Sequence, residues 1–330
     1  MKILVTGASG FLGSHVVRKA LQHKYEIRAF VRPSSSLKNL EGLPIEILAG
    51  NLHSQEDLKK ALSGCEWLFH LAADYRFTSF QGNQVMQTNI EGTKAILQAA
   101  RESKIAKIVY TSSTATIGIP EDGSPGTEMT PISKKEMVGP YKLSKYLAEQ
   151  EVLKAAQEGC PVVIVNPSAP VGTYDSKPTP TGRFIVDFLN RKLFAYTNTG
   201  LNLVDAEDVA EGHILAALKG RVGERYILGN QNLDFKTILE ILSQITGLPA
   251  PRFCLPHGAV LFMAYANHIF SKNILRKEPG IPLEGVKLSR KKMFFDPSKA
   301  KKELGIPQTP VEEALKKAVK WYQENGYVRG

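Results

Sequence analysis

Cysteine is scarce in this chain of 330 residues: Cys65, Cys160 and Cys254 are odd in number and far apart, and no C-x-x-C pair occurs. That pattern argues against a disulfide framework and against a structural zinc site, and no other metal-ligand spacing is visible. Long hydrophobic runs are also missing. Met1-Lys2 leads into Ile3-Leu4-Val5 and then glycine, too short an apolar run for a signal peptide or a membrane span, which predicts a cytoplasmic protein. The 13 apolar-rich residues 258–270, followed by Lys272, Arg276 and Lys277, suit a buried or interfacial helix better than a span. Neither an internal repeat nor a low-complexity linker appears, so the parts of the chain are expected to share an interface.

Acidic residues are in deficit, 32 against 42 Lys plus Arg, leaving a net charge of +10. Residues 271–330 alone hold 14 basic against 7 acidic side chains. A basic tail can meet nucleic acid or an anionic membrane. Here the acids are interspersed, and Lys316, Lys317 and Lys320 fall opposite Ala314, Leu315, Val319 and Trp321 on a helical repeat. The pattern predicts a solvated helix face, with neither a nucleic-acid partner nor membrane association. An apolar content of 43% with 22% charge is ordinary for a globular protein with a sizeable core.

Short apolar runs at 3–6, 27–31, 45–49, 67–71, 108–111 and 162–166 alternate with helical patterns at 14–22, 55–63, 84–102 and 141–158. This alternation predicts an α/β fold, a doubly wound parallel sheet of the Rossmann type, over residues 1–166. Further helices are expected at 184–191, 209–219, 235–246 and 310–325, around a Pro-rich stretch at 173–183. Residues 167–330 then form a smaller, mainly substrate-binding subdomain, with some segments returning to the first part. Ligands of such sheets sit beyond the carboxyl ends of the strands.

Thr6-Gly7-Ala-Ser-Gly10-Phe-Leu-Gly13 follows the first strand. Gly7 permits a tight turn, Gly10 a close backbone approach to a pyrophosphate, and Gly13 close packing of helix on strand. The helix that follows directs its free N–H groups at the anion. After the second strand comes Phe30-Val31-Arg32-Pro33-Ser34-Ser35-Ser36, without the acid that would bind a ribose 2′-hydroxyl. Arg32 therefore points to NADP(H), with NAD(H) the alternative and Arg28, Ser34 and Lys38 as helpers.

Val109-Tyr110-Thr111-Ser112-Ser113 ends a strand in hydroxyls, and Tyr141-Lys-Leu-Ser-Lys145 puts a phenol and an ammonium four residues apart. On a helix these share one face, and the positive charge is expected to lower the tyrosine pKa from about 10. Such a phenol exchanges a proton with a carbonyl or carbinol oxygen near neutral pH. Ser113 is placed to hydrogen-bond the same oxygen. His70, at a strand end, reads as a packed or hydrogen-bonded residue rather than a catalyst.

The glycine loop, His70-Leu-Ala-Ala73, Asn89, Ser113 and Tyr141-x-x-x-Lys145 together resemble the extended short-chain dehydrogenases/reductases, over essentially the whole chain. Within them the sequence looks most similar to the dihydroflavonol-reductase-like branch and, inside it, to the hopanoid-associated sugar epimerase group. The closer match is carried by 165–172, 177–183, 199–205 and 223–229. The resemblance implies that Tyr141 is the acid/base, Lys145 holds the nicotinamide ribose and tunes Tyr141, and Ser113 positions the substrate oxygen. It implies cofactor contacts from Gly7, Ser9, Gly10, Phe11, Leu12 and Gly13, then Leu71, Ala72 and Ala73, then Asn89 and Thr111, and finally Pro167 and Ser168. Asn51-Leu52 stands where the family usually has Asp-Leu against the adenine, and an amide can donate and accept there. Substrate contacts are expected from Asp74, Tyr75 and Ser113, and from Lys177, Thr181 and Arg183 on the Pro-rich loop. A homodimer through helices 84–102 and 141–158 is also implied.

The expected activity is NADP(H)-dependent hydride transfer to or from a carbonyl or carbinol carbon of a small organic substrate, with Tyr141 moving the proton. The alternatives are an NAD(P)-dependent (nucleotide-)sugar epimerase and, less favoured given the intact trio, a non-catalytic NADP-binding sensor. Related dehydratases have Thr-Asp-Glu where this chain has Ser113-Thr114-Ala115, so dehydration is not expected.

Overall fold

The computed structural model describes residues 1–74, 85–270, 286 and 290–328, the side chains of 268–270 excepted. Tyr75, one of the expected substrate contacts, lies outside the described residues, as do Lys272, Arg276 and Lys277. The chain begins with β1 (Lys2–Thr6), α1 (Phe11–Gln22), β2 (Glu26–Val31), β3 (Glu46–Ala49), α2 (Gln55–Leu62) and β4 (Trp67–His70). It continues through α3 (Gly92–Glu102), β5 (Lys107–Thr111), α4 (Gly139–Gln157) and β6 (Val162–Pro167).

The expected doubly wound sheet is present, and it has one strand more than the sequence suggested. After β7 (Ala169–Val171), α5 (Pro180–Leu189), β8 (Ala195–Thr197), β9 (Gly200–Asp205) and α6 (Ala206–Lys219), the chain returns as β10 (Arg225–Leu228). β10 pairs parallel to β6, giving the seven-stranded order β10-β6-β5-β4-β1-β2-β3. Chain direction across the sheet reverses between β1 and β4, so a crevice opens at their carboxyl ends.

Alternate residues of each strand feed opposite layers, as the two-residue period of a strand requires. Ile3 and Val5 pack with Val16, Val17 and Val209 against α1 and α6, while Leu4 packs with Leu58, Ile96 and Val152 against α2, α3 and α4. Both faces being covered explains why these strands read as continuous apolar runs.

The last part comprises β11 (Gln231–Asp234), α7 (Phe235–Thr246), β12 (Phe253–Leu255), α8 (His257–Phe270), α9 (Ser298–Glu303) and α10 (Val311–Glu324). Ile185, Phe188, Leu239, Leu242, Leu315 and Tyr322 form its core between α5, α7 and α10. The basic face of α10 is solvated: Lys316 and Lys320 pair with Glu312 and Glu324 one turn away, and Lys317 reaches Asp205 at 2.9 Å. The apolar residues 258–270 do form a helix, but Phe262, Met263 and Tyr265 stand exposed on it. Among the described residues no helix is long and apolar enough to cross a membrane.

Two local departures from expectation bear on the site. Within the helix expected over 84–102 lies a wider π turn at Gln87–Glu91, with the regular α-helix starting only at Gly92, and Asn89 on that turn is buried. The Pro-rich stretch is only partly a loop: Thr179 caps α5 by accepting from the Gly182 N–H, and Pro180 opens the helix. Thr181 and Arg183 therefore sit in a first helical turn.

Candidate active site

A cavity of about 500 Å³ opens over the carboxyl ends of β1, β2, β4, β5 and β6. Gly7, Ser9, Gly10, Phe11, Leu12 and Gly13 line one end of it. Gly7 has φ +69°, in the left-handed region, and a Cβ there would lie 2.7 Å from the Ala72 nitrogen. A Cβ on Gly13 would lie 2.1 Å from the Gly7 carbonyl oxygen. Backbone thus packs on backbone, and Gly10, extended and without a side-chain cap, leaves the first amides of α1 facing the cavity. No acid occupies the first turn of α1, so the positive end of its dipole is unopposed. This cradle suits a phosphate-bearing dinucleotide.

Beyond β2, Arg32, Ser34, Ser35 and Ser36 line the edge of the cavity. Arg32 is exposed, and its guanidinium has no hydrogen bond or ion pair among the described residues. Arg28 is not a helper here: it donates to the carbonyls of Ala61 at 2.8 Å and Ser63 at 2.6 Å and pairs with Glu46. Lys38 lies off the cavity, 3.5 Å from the Asn325 side chain. Leu52 lines the cavity, whereas Asn51 does not. Its side chain accepts from the His53 N–H at 3.0 Å and its own N–H is bound by Asp57, a turn-building role.

Leu71, Ala72, Ala73, Thr111, Ser113, Tyr141, Lys145, Pro167 and Ser168 complete this part of the wall. The expected lowering of the Tyr141 pKa by Lys145 is not what the structure shows. Burial pushes the phenol up, and the opposing influence is a hydrogen bond with the Ser113 side chain. The Lys145 ammonium is engaged elsewhere: Nζ donates to the Thr111 carbonyl at 2.7 Å and lies 4.8 Å from the centre of the Tyr110 ring. Its own pKa is pulled down to about 8 by burial, against the field of Glu149.

Behind these groups lies a buried polar lattice. Asn89 does not reach the cavity. It accepts from the Asp74 N–H at 2.7 Å and donates to the Asp74 carbonyl and to Ser144 Oγ, which in turn donates to the Tyr141 carbonyl. Asn89 thereby ties the segment after β4 to α4, and Asp74, likewise off the cavity, is its partner. Sequence reasoning passed over Asn166 and Glu149. Asn166 donates to the Ser113 carbonyl at 3.1 Å and to Glu149 Oε2 at 2.9 Å, and Glu149 also accepts from Thr116 and pairs with Arg225. Glu149 follows Lys145 by four residues, so the helical period put it on that face.

His70 is buried, with Nδ1 2.7 Å from Thr6 Oγ1 and Nε2 3.3 Å from Thr93 Oγ1, and burial pulls its pKa down to about 3. It is a neutral structural ring. Of the expected substrate residues, Ser113, Lys177 and Thr181 line the cavity, whereas Arg183 points off it towards Asp187 at 3.6 Å. The loop bearing Lys177 is held by two residues that sequence reasoning did not single out. Asn39 donates to the carbonyls of Ser9 and Tyr174, and Asp175 accepts from Thr179 and from the Tyr322 hydroxyl at 2.7 Å. The far end of the cavity is formed by Ala115, Lys142, Leu201, Asn202, Met293 and Phe295. Among the described residues no cluster of His, Cys, Asp and Glu could hold a metal ion.

Residues 3–229 match the model of the NAD dependent epimerase/dehydratase family. A Synechocystis protein that carries the provisional name dihydroflavonol 4-reductase is 45% identical over 98% of this chain and 95% of its own length. The crystal structure of gox2253 superimposes with a TM-score of 0.89 at 42% identity, covering 99% of each chain. A structure described as PA4631, a nucleoside-diphosphate-sugar epimerase from Pseudomonas aeruginosa, gives a TM-score of 0.84 at 26% identity, covering 100% of this chain and 99% of that one. The chain belongs to the NAD-dependent epimerase/dehydratase family of extended short-chain dehydrogenases/reductases, a family of NAD(P)-dependent enzymes.

Proposed function

We propose that the protein is an NADP(H)-dependent oxidoreductase of the dihydroflavonol-reductase-like branch, acting on a carbonyl or carbinol carbon of a small organic substrate. The observation that carries this reading is that Ser113 and Tyr141 share one cavity with the glycine loop. The nicotinamide dinucleotide, when bound, supplies the hydride acceptor or donor. Gly7, Gly10 and the first amides of α1 would hold its phosphates, and Lys145 would orient its ribose. Ser113 hydrogen-bonds the reacting oxygen. The Tyr141 phenol gives that oxygen a proton in reduction, and its phenolate takes one in oxidation. Asn166 fixes the backbone of Ser113 and Asn89, through Ser144, that of Tyr141, which keeps the two hydroxyls together. Arg32, with Ser34 beside it and no acid from 32 to 36, supports NADP(H) over NAD(H).

A second reading, sugar epimerisation, draws on the likeness to PA4631 and to the hopanoid-associated group. The same residues would oxidise a carbinol transiently and return hydride to its other face. Denaturing the purified protein and identifying the released nucleotide separates the two: exchangeable NADP(H) is expected, and tightly retained NAD would favour the epimerase. Loss of turnover in Tyr141→Phe with nucleotide affinity retained is expected in either case, and unchanged turnover sinks both.

The proposal takes residues 1–166 as the dinucleotide-binding part and 167–330 as mainly substrate-binding. It also includes a cytoplasmic homodimer through α3 and α4 that binds neither nucleic acid nor membrane, with sedimentation as the test of the dimer.

A further inference from the structure

Lys142, next to Tyr141 in α4, lines the cavity and is only 8% exposed. Its ammonium makes no hydrogen bond or ion pair among the described residues, and the one charged side chain whose field reaches it appreciably is another cation, Lys291. A buried, unpaired ammonium is costly, and proteins seldom keep one without a compensating anion. The other cations of the wall are differently placed. Lys145 is bound to the Thr111 carbonyl, Arg32 lies at the edge beyond β2, and Lys177 is exposed on the loop ahead of α5.

The surroundings of Lys142 restrict what that anion can be. Ala115, Leu201, Met293 and Phe295 add apolar surface to the same cavity, and Lys291, whose field reaches Lys142, lies two residues before Met293. The buried amide there, Asn202, is already satisfied by Asn232, the Phe295 carbonyl and the Asn230 N–H. No arginine other than Arg32 lines the described cavity. A phosphate dianion or a diphosphate would bring more charge than one buried ammonium neutralises, whereas a carboxylate matches it in number.

We propose that Lys142 binds a carboxylate of the substrate, so that the substrate is an apolar molecule carrying one carboxylate close to the carbinol or carbonyl that reacts. This rests on the hydride-transfer reading for the identity of the cavity's two ends. It goes beyond that reading by naming the substrate class, and it disfavours a nucleotide sugar.

The test is calorimetric titration of the NADP-saturated protein at neutral pH with cyclohexanecarboxylate and, separately, cyclohexanecarboxamide. The acid is expected to bind at least about tenfold more tightly than the amide, the scale of one charge-assisted contact. Lys142→Met should erase that preference and Lys142→Arg should keep it. Equal affinities for the two ligands in the wild-type protein, binding of neither, or a preference that survives Lys142→Met would each overturn the proposal. The wild-type comparison decides even where a variant fails to fold. Tyr141→Phe distinguishes this proposal from the one beneath it, because it should keep the acid preference while losing turnover. An acid preference together with unchanged turnover in Tyr141→Phe would leave Lys142 as an anion site and remove the hydride-transfer reading.

Discussion

At the glycine-loop end of the cavity the wall is backbone, whereas at the Lys142 end it is side chains drawn from segments far apart in the chain. Gly7, Gly10 and Gly13 meet Ala72 and one another through main-chain atoms. Ala115, Leu201, Met293 and Phe295 come from the turn after β5, from β9 and from the stretch ahead of α9. A backbone wall has one shape whatever else the sequence does, so it suits a ligand that stays the same across a family. A side-chain wall can be re-lined by substitution, so it is where substrates diverge. Gly13→Ala breaks the comparison most severely. Its Cβ would stand 2.1 Å from a carbonyl that cannot move without unpacking α1 from β1, so a loss of more than about 4 kcal/mol is expected, together with nucleotide binding. Thermal denaturation and nucleotide titration would read both, while Met293→Ala at the other end should leave nucleotide affinity alone.

Tyr141 stands where the two walls meet, and it tests whether the ends work on one reaction. Removing its hydroxyl leaves the ring and the packing of α4, so Tyr141→Phe should cut turnover by roughly 10²- to 10⁴-fold with nucleotide affinity unchanged. A parallel fall in affinity would mean that the residue belongs to the cofactor end alone. Because burial raises the phenol in the unliganded protein, turnover in the reductive direction, which needs the phenol protonated, should persist on the alkaline side beyond the pH expected from a phenol lowered by its neighbour.

The sequence revealed these regions unequally, for the same physical reason. Ile3-Leu4-Val5 followed by glycine at 7, 10 and 13 encodes strand, turn and helix within a dozen residues, so that end is legible locally. β10 went unrecognised because Arg225–Leu228 is four residues long and has no partner until β6, some sixty positions earlier, lies beside it. Lys142 escaped for a different reason: its neighbour Lys145 carried the motif, and nothing local says that an adjacent lysine is buried. The error over the Tyr141 pKa has the same origin. Spacing put Lys145 on the same helix face, but whether its charge faces the phenol or the Thr111 carbonyl depends on β5.

The two buried lysines of α4 give the comparison a pH signature. Burial lowers both Lys142 and Lys145 to about 8 from an ordinary 10.5, with the field of Lys291 adding to the effect on Lys142 and that of Glu149 opposing it on Lys145. Between these limits the unfolded chain holds protons that the folded chain has released, so stability should rise with pH from about 8 to 10.5. The slope approaches about 1.4 kcal/mol per pH unit for each lysine. Denaturant titrations of the ligand-free protein across this window would measure it. Lys142→Met should remove about half of the rise, and an unchanged slope would mean that its ammonium is solvated rather than enclosed.

Arg32 offers the finest distinction, because it is a charged side chain at the backbone-walled end that a change of cofactor would make dispensable. It is exposed at the edge beyond β2 and has no partner among the described residues, so removing it disturbs no packing. In Arg32→Ala the affinity for NADP should fall by about tenfold, the scale of one charge-assisted contact at a solvated site, with NAD affinity unaltered. Fluorescence titration with both nucleotides would measure the ratio. Equal losses for the two would place Arg32 on a group they share and leave Ser34, Ser35 and Ser36 to discriminate. No change for either would make Arg32 a surface charge and leave the backbone cradle as the whole of that end.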